Sequence, residues 1–185
     1  FGGMFCLFEE RPDGNMSSDA SFGYSKHVMG YSDAIHKMHS HHDHVVDKEY
    51  IVKARLFDML IGDWDRHDDQ WRWASFKNKG TTVYRPIPRD RDQAFFEFDG
   101  LFYSIANRKW LLRKFQPFDD DVRDIYGLSF NARFFDRSFL IEASKEDWVS
   151  KAEYIQKNLS DELIVEAISK LPKEGFDLTG EEIIS

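Results

Sequence analysis

Residues 62–71 read "GDWDRHDDQW", and the fold turns on them. Four aspartates, an arginine and a histidine lie between a glycine and a closing tryptophan, with a second tryptophan inside the run. Before this stretch, Tyr50, Ala54, Phe57 and Ile61 recur at helical spacing, which predicts a helix whose inner face carries those four residues. Asp47 supplies its N-cap and Gly62 its stop. After the stretch, "WRWASF" (71–76) alternates, "KNKG" (77–80) is turn chemistry, and "TTVYRPI" (81–87) reads as a returning strand ended by Pro88. The motif is therefore the loop between a helix and a β-hairpin. A second charged loop, "PRDRDQAFF" (88–96), follows the hairpin directly.

A hairpin brings the end of its second strand beside the start of its first. The two acidic loops are thus expected side by side, with Asp65 near Asp90 or Asp92. Carboxylates so placed repel unless a proton or cation intervenes. Mg²⁺ accepts one or two carboxylates together with substrate phosphates, so the pattern points to metal-assisted phosphoryl chemistry. A turn knitted by salt bridges is the simpler alternative for Asp65, Arg66 and His67. Asp90 and Asp92 also spell D-x-D, as in aspartyl phosphatases. The flanking Pro88-Arg89 and Gln93-Ala94 do not suit that motif.

Working outward, residues 4–10 suit a buried strand, 14–33 a Ser-, Gly- and Asp-rich loop, and the region beyond 100 helices. Those helices are expected near 147–158 and over 161–171, the latter with Ser160 as N-cap and Pro172 as stop. Thr179 and Glu182 have capping-box spacing and announce a further helix. The fold class expected is α+β, mostly helical, with one or two short β-hairpins. The chain reads as one domain of 185 residues, excised from a larger multidomain protein. A formal net charge of -8 speaks against a general nucleic-acid surface but leaves room for a local basic pocket. The single cysteine, Cys6, excludes an internal disulfide and a Cys-based zinc site. No apolar run is long enough for membrane insertion by a helix.

Other clusters have plainer readings. Trp64, Trp71 and Trp73 are expected in core or hairpin packing rather than stacked on a ligand. His36, His39, His41, His42 and His44 form a run that invites adventitious Zn²⁺ or Ni²⁺, with a solvated stretch as the expectation. Arg85, Arg89 and Arg91 suit phosphate binding or charge balance. Arg133 and Arg137 are expected to pair with nearby acids.

"GDWDRHDDQW" with "RPIPRDRDQAFF" (85–96) resembles the catalytic and metal-binding loops of atypical protein-kinase-like enzymes. The pattern D-R-H-x-x-N occurs in the phosphoinositide-kinase class. Related forms occur in HipA toxin kinases, CotH spore-coat kinases and secretory-pathway kinases. The resemblance implies a kinase C-lobe fold with ATP and Mg²⁺ or Mn²⁺ as cofactors. Asp65 would be the catalytic aspartate, followed by Arg66 and His67. Gln70 stands where the family has a metal-binding Asn, a departure that puts the site's activity in doubt. Asp90 or Asp92 would be the metal-binding aspartate. "FCLFEERPD" (5–13) resembles the hinge strand that contacts adenine, which would give Glu9, with Arg89, a cofactor-binding role. Residues 1–13 would then be the hinge, 47–99 the catalytic and metal loops, and 100–185 a helical subdomain. No Gly-rich loop or paired strand Lys precedes these motifs, so the first kinase lobe would lie upstream.

The chain also resembles a bacterial envelope protein family in which such a segment follows a calcineurin-like metallophosphoesterase domain and precedes an outer-membrane barrel. That resemblance implies a cell-envelope location and other domains of the parent chain as partners, beside a nucleotide or phosphorylated substrate. It also implies an alternative function: a non-catalytic kinase-fold module of a phosphohydrolase.

Overall fold

The structure is a computed structural model, and it describes residues 11–97, 113–119 and 121–185. The expected strand at 4–10, with Glu9 and most of the proposed hinge, lies outside those residues. So does most of the region from 100 to 115, for which helices were expected. The chain divides into two compact units, Phe1–Ala143 and Ser144–Ser185.

The first unit is built on a four-stranded mixed sheet in the order β1-β3-β4-β2. Strands β3 (Trp71–Asn78) and β4 (Thr81–Pro88) form the expected antiparallel hairpin, from Trp71↔Pro88 to Asn78↔Thr81. Its two-residue turn holds Lys79 at φ 47° and Gly80 at φ 92°. Two positive φ values match the twist that a tight hairpin requires. Strand β1 (His27–Gly30) pairs antiparallel with β3, and β2 (His44–Val46) pairs parallel with β4. The hairpin is therefore the middle of the sheet. This explains why both faces of Trp71, Arg72, Trp73 and Ala74 are buried, although the alternation had suggested one face only.

Two further expectations change. Residues 14–33 are not simply loop. They contain β1 and the start of helix α1 (Tyr31–Ser40). The polar composition hid a four-residue strand whose ladder partner is β3, far along the chain, with Val28 also bonded to Gly14. Helix α2 (Lys48–Leu60) exists, and Asp47 caps it by accepting from the Tyr50 amide at 3.1 Å. Its inner face, however, is Ile51, Val52, Ala54, Arg55 and Asp58, while Tyr50 is 37% exposed. Ala54 and Ile61 are buried as expected, and the buried face extends from them to Arg55 and Asp58, which pair with each other.

Among the described residues between β4 and Ala143 are two short helices, α3 (Ile125–Leu128) and α4 (Arg133–Phe139). Helix α4 brings Phe135 flat against Trp71, with ring centroids 4.3 Å apart and 11° between planes. Phe139 packs on Trp73 at 4.8 Å. Trp64 packs edge-on against Phe115 at 4.6 Å. All three tryptophans are thus packing residues, at 6%, 0% and 0% exposure for Trp64, Trp71 and Trp73.

The second unit is helical. Helix α5 (Lys145–Asn158) starts with a full capping box in which the Asp147 amide donates to Ser144 and the Ser144 amide to Asp147. Helix α6 (Asp161–Ile168) has Ser160 as its N-cap, as expected, but ends at Ile168, short of Pro172. Thr179 starts no new helix. It lies within a π-helical segment, Phe176–Gly180, that runs on into Glu181–Ile184, and its hydroxyl bonds back to the Gly175 carbonyl. Among the described residues, no helix is long and apolar enough to cross a membrane.

Candidate functional site

The site begins where α2 ends. Gly62 takes a left-handed φ of 69°, and the Asp63 amide closes the helix by donating to the Asp58 carbonyl at 2.9 Å. The chain then runs through Asp63, Trp64, Asp65, Arg66 and His67 into a 3₁₀ turn at Asp68–Gln70, and directly into β3. Along this path Asp63, Trp64, Arg66 and Gln70 are buried, Asp65 and Asp68 are half-buried, and His67 and Asp69 are exposed.

Arg66 points inward and is 1% exposed. Its guanidinium lies 2.7 Å from Asp63 and 3.3 Å from Asp58, both fully buried. It also donates to the backbone carbonyls of Gln70 and Arg89. Asp58 in turn receives Arg55 at 3.4 Å and Arg91 at 2.9 Å, and Arg55 grips Asp136 of α4 through two bonds of 2.8 and 3.2 Å. Three guanidinium groups and three carboxylates form one network. At Arg55 burial is outweighed by Asp136 and Asp58, which raise its pKa, whereas burial prevails at Asp63 and Arg66. Burial pushes the Asp63 carboxyl up in spite of Arg66, and pulls the Arg66 guanidinium down in spite of Asp58 and Asp63. Such a network is held by geometry and mutual pairing. Removing one member strands a charge in a low-dielectric interior.

The consequence is positional. Arg66 joins the loop before the hairpin to the loop after it, and the Arg89 amide adds a bond to the Gln70 carbonyl at 2.9 Å. The Phe95 amide reaches back to the Ile61 carbonyl at the end of α2 at 2.9 Å. The two acidic loops therefore lie side by side, as hairpin geometry required.

The remaining candidates divide by exposure. Asp65 is half-buried; its Oδ1 accepts from the Asn131 side chain, and its own amide donates to Asp63 Oδ1 at 3.2 Å. His67 is exposed, with its amide bonded to the Asp65 carbonyl at 2.9 Å. Asp90 is half-buried and holds a left-handed φ of 54°, a conformation that Asp tolerates better than most residues. Asp92 is exposed, and its carboxylate accepts from Gln93 at 3.0 Å. Gln70 is 3% exposed, and its side-chain oxygen is buried with no hydrogen-bond partner among the described residues. Arg89 is half-buried. No group of three or more His, Cys, Asp or Glu among the described residues is placed to hold a metal ion. A Mg²⁺ ion needs fewer, because phosphates and water complete its shell.

Four residues of this neighbourhood escaped the sequence reading. Asp58 and Asp63 were legible in principle, since each stands three residues before or after a partner arginine, but that spacing is common on any surface. Asn131 carries no local signal and reaches Asp65 only through the fold. Asp68 is the fourth. Burial raises its carboxyl above the usual range, with Asp69 acting in the same direction, and Tyr31 faces it from α1.

The histidine run is divided among elements. His36 and His39 lie on α1, and His44 opens β2. The His41 and His44 rings stack at 4.6 Å; His41 Nδ1 is 3.2 Å from the Lys37 carbonyl and His44 Nδ1 2.9 Å from the Tyr84 hydroxyl. Burial lowers the His44 pKa. Arg85 pairs with Asp47 at 2.7 Å, and Arg91 with Asp58, so both take the charge-balance role. Among the described residues no carboxylate lies within ion-pairing distance of Arg133 or Arg137, contrary to expectation, although Arg133 acts on the Asp68 carboxyl through space. Arg133 lies over the Phe130 and Phe134 rings at 4.2 and 4.4 Å and donates to the Phe130 carbonyl at 2.6 Å.

No family model, curated protein or solved structure matches the chain significantly.

Proposed function

We propose that this chain is a kinase-like phosphotransferase module, with a C-lobe type of architecture and Mg²⁺- or Mn²⁺-bound ATP as cofactor. The observation that carries the reading is the juxtaposition of the two acidic loops, tied together by Arg66 and by the Arg89–Gln70 bond. In this reading Asp65, oriented by Asn131, faces the attacking hydroxyl as its base. Asp90 and Asp92 hold the metal, and the unpartnered oxygen of Gln70 is a further acceptor for the ion or its water. The metal supplies charge neutralisation at the transferred phosphoryl group. Arg66 is a positioning residue, because its buried guanidinium is already occupied by the two carboxylates. Arg89 and the exposed His67 flank the nucleotide phosphates. The cell envelope is the proposed location, with other domains of a parent chain as partners.

A second reading keeps the fold without the chemistry: a structural or partner-binding module of a phosphohydrolase. Gln70 favours it, since the family's Asn is replaced by a longer side chain that is 3% exposed.

Calorimetric titration of Mn²⁺–ATP, on the longest natural chain containing these residues, decides between them. The phosphotransferase reading predicts metal-dependent binding that Asp90→Ala or Asp92→Ala weakens at least about tenfold and Asp65→Ala leaves in place. Absence of metal-dependent binding in the wild type supports the structural module.

A further inference from the structure

A cleft of about 830 Å³ is lined by Arg113 and Lys114 and by residues of and between helices α3 and α4. Its size is that of a small-molecule site. Among the described residues its lining is mostly basic, in a chain whose net charge is -8. Arg113, Lys114, Arg133 and Arg137 line it with one carboxylate among the described residues, Asp136, and Asp68 acts on Arg133 only through space. Asp136 is already engaged twice by Arg55. Arg113 is likewise engaged, by Asp124. Lys114, Arg133 and Arg137 remain, and no carboxylate among the described residues lies within ion-pairing distance of them.

Three cations left around one concavity repel one another, and an anion relieves that repulsion. Arg133 is held over two aromatic rings, which fixes the plane of a guanidinium able to bind two oxygens at once. The Ser129 hydroxyl on the cleft wall is buried without a partner among the described residues, so one donor is unused. Tyr126 and Phe130 supply an apolar wall, at 77% and 51% exposure. The wall is rigidly placed. Gln116 bonds both the amide and the carbonyl of Asp124, at 2.9 and 2.6 Å, and Gly127 has no room for a Cβ against the Arg113 carbonyl.

From these features we infer that the cleft binds a phosphate monoester carried on an apolar group. The cations take the phosphate oxygens, Ser129 adds a hydrogen bond, and the aromatic wall covers the apolar part. Asn131, between the cleft residues Phe130 and Arg133, donates to Asp65. As the seat of a phosphotransfer acceptor, the cleft rests on the proposed function; as an anion site it does not. The same chemistry exists in a soluble aryl phosphate and in a phosphatidic acid headgroup.

The test uses phenyl phosphate, inorganic phosphate, and phosphatidylcholine vesicles with or without phosphatidic acid, all with EDTA present. Phenyl phosphate is expected to bind about tenfold more tightly than inorganic phosphate, because the ring adds apolar burial. Arg133→Glu and Arg137→Glu should each weaken binding at least about tenfold, and the milder Arg137→Gln should weaken it less. Lys79→Glu, at the exposed hairpin turn, should change it less than about twofold, which separates a built site from general charge. Both arginines are exposed, and circular dichroism checks that the variants fold. Binding confined to phosphatidic acid vesicles, with the same variant sensitivity, assigns the ligand to a membrane; binding confined to phenyl phosphate assigns it to solution. No binding of either, or binding indifferent to Arg133 and Arg137, overturns the inference. Asp90→Ala, which should weaken Mn²⁺–ATP binding at least about tenfold, is expected to leave phenyl phosphate binding unchanged, so this site and the nucleotide reading fail separately.

Discussion

Asp65 and Arg66 are adjacent in the chain and have opposite environments. Arg66 is sealed inside, with its guanidinium divided between two carboxylates and two backbone carbonyls. Asp65 stands at the rim, half-buried and oriented by one amide from another part of the fold. The same contrast runs through the whole acidic stretch: Asp63 and Gln70 lie inside, His67 and Asp69 outside. A dense run of charge in a sequence is therefore two populations. One is structural and holds two loops in register. The other is presented outward at the junction the first has made.

The sharpest way to break this contrast is to substitute the two neighbours separately. Arg66→Met leaves Asp58 and Asp63 buried with fewer partners and should cost about 3–5 kcal/mol in urea unfolding. Arg66→Lys should recover only a minor part, because a point-like ammonium cannot span two carboxylates and two carbonyls. Asp65→Ala should cost less than about 1 kcal/mol, since it removes one part-buried hydrogen bond. Equal losses at the two positions would erase the distinction.

Asp47 supplies an intermediate case, a carboxylate with one local duty. Asp47→Ala removes the cap of α2 and should cost about 1 kcal/mol, whereas Asp47→Asn keeps the cap and should cost less. The Arg85 pair adds little, as Arg85 is nearly half exposed.

The smallest effect is a dependence on pH. The Asp68 carboxyl is raised in the folded state, by burial first and by Asp69 second. A raised acid favours folding while it is protonated, so its contribution is full below the unfolded value, near pH 4, and is lost as pH rises through the folded value. Asp63 acts in the same direction. Asp68→Asn should therefore gain on the wild type as pH goes from about 4 to 7, read as a change in the difference between their urea midpoints. A constant difference across that range would contradict the assignment.

What the sequence allowed follows the range of the forces involved. The hairpin, the Asp47 cap and the start of α6 at Ser160 depend on residues a few positions apart, and they were legible. Strand β1 was not, because its pairing partner is β3, with His27 opposite Ser75. The inward face of α2 was legible in part: Ala54 and Ile61 are buried, but Arg55 and Asp58 satisfy each other inside, where hydropathy places no charges. The proximity of the two acidic loops followed from hairpin geometry alone. Asn131 beside Asp65, and the basic cleft on α3 and α4, depend on contacts that no local pattern records.

The most direct test of the central claim is amide hydrogen exchange in Arg66→Met under conditions where it stays folded. The Arg89 amide, bonded to Gln70, and the Asp63 and Gln70 amides report the joint between the loops. The account predicts that all three lose protection together while the Tyr84 and Phe76 amides in the middle of the hairpin keep theirs. Unchanged protection at Arg89 and Gln70 would mean that Arg66 does not hold the loops together, and the framework on which the site is built would have to be sought elsewhere.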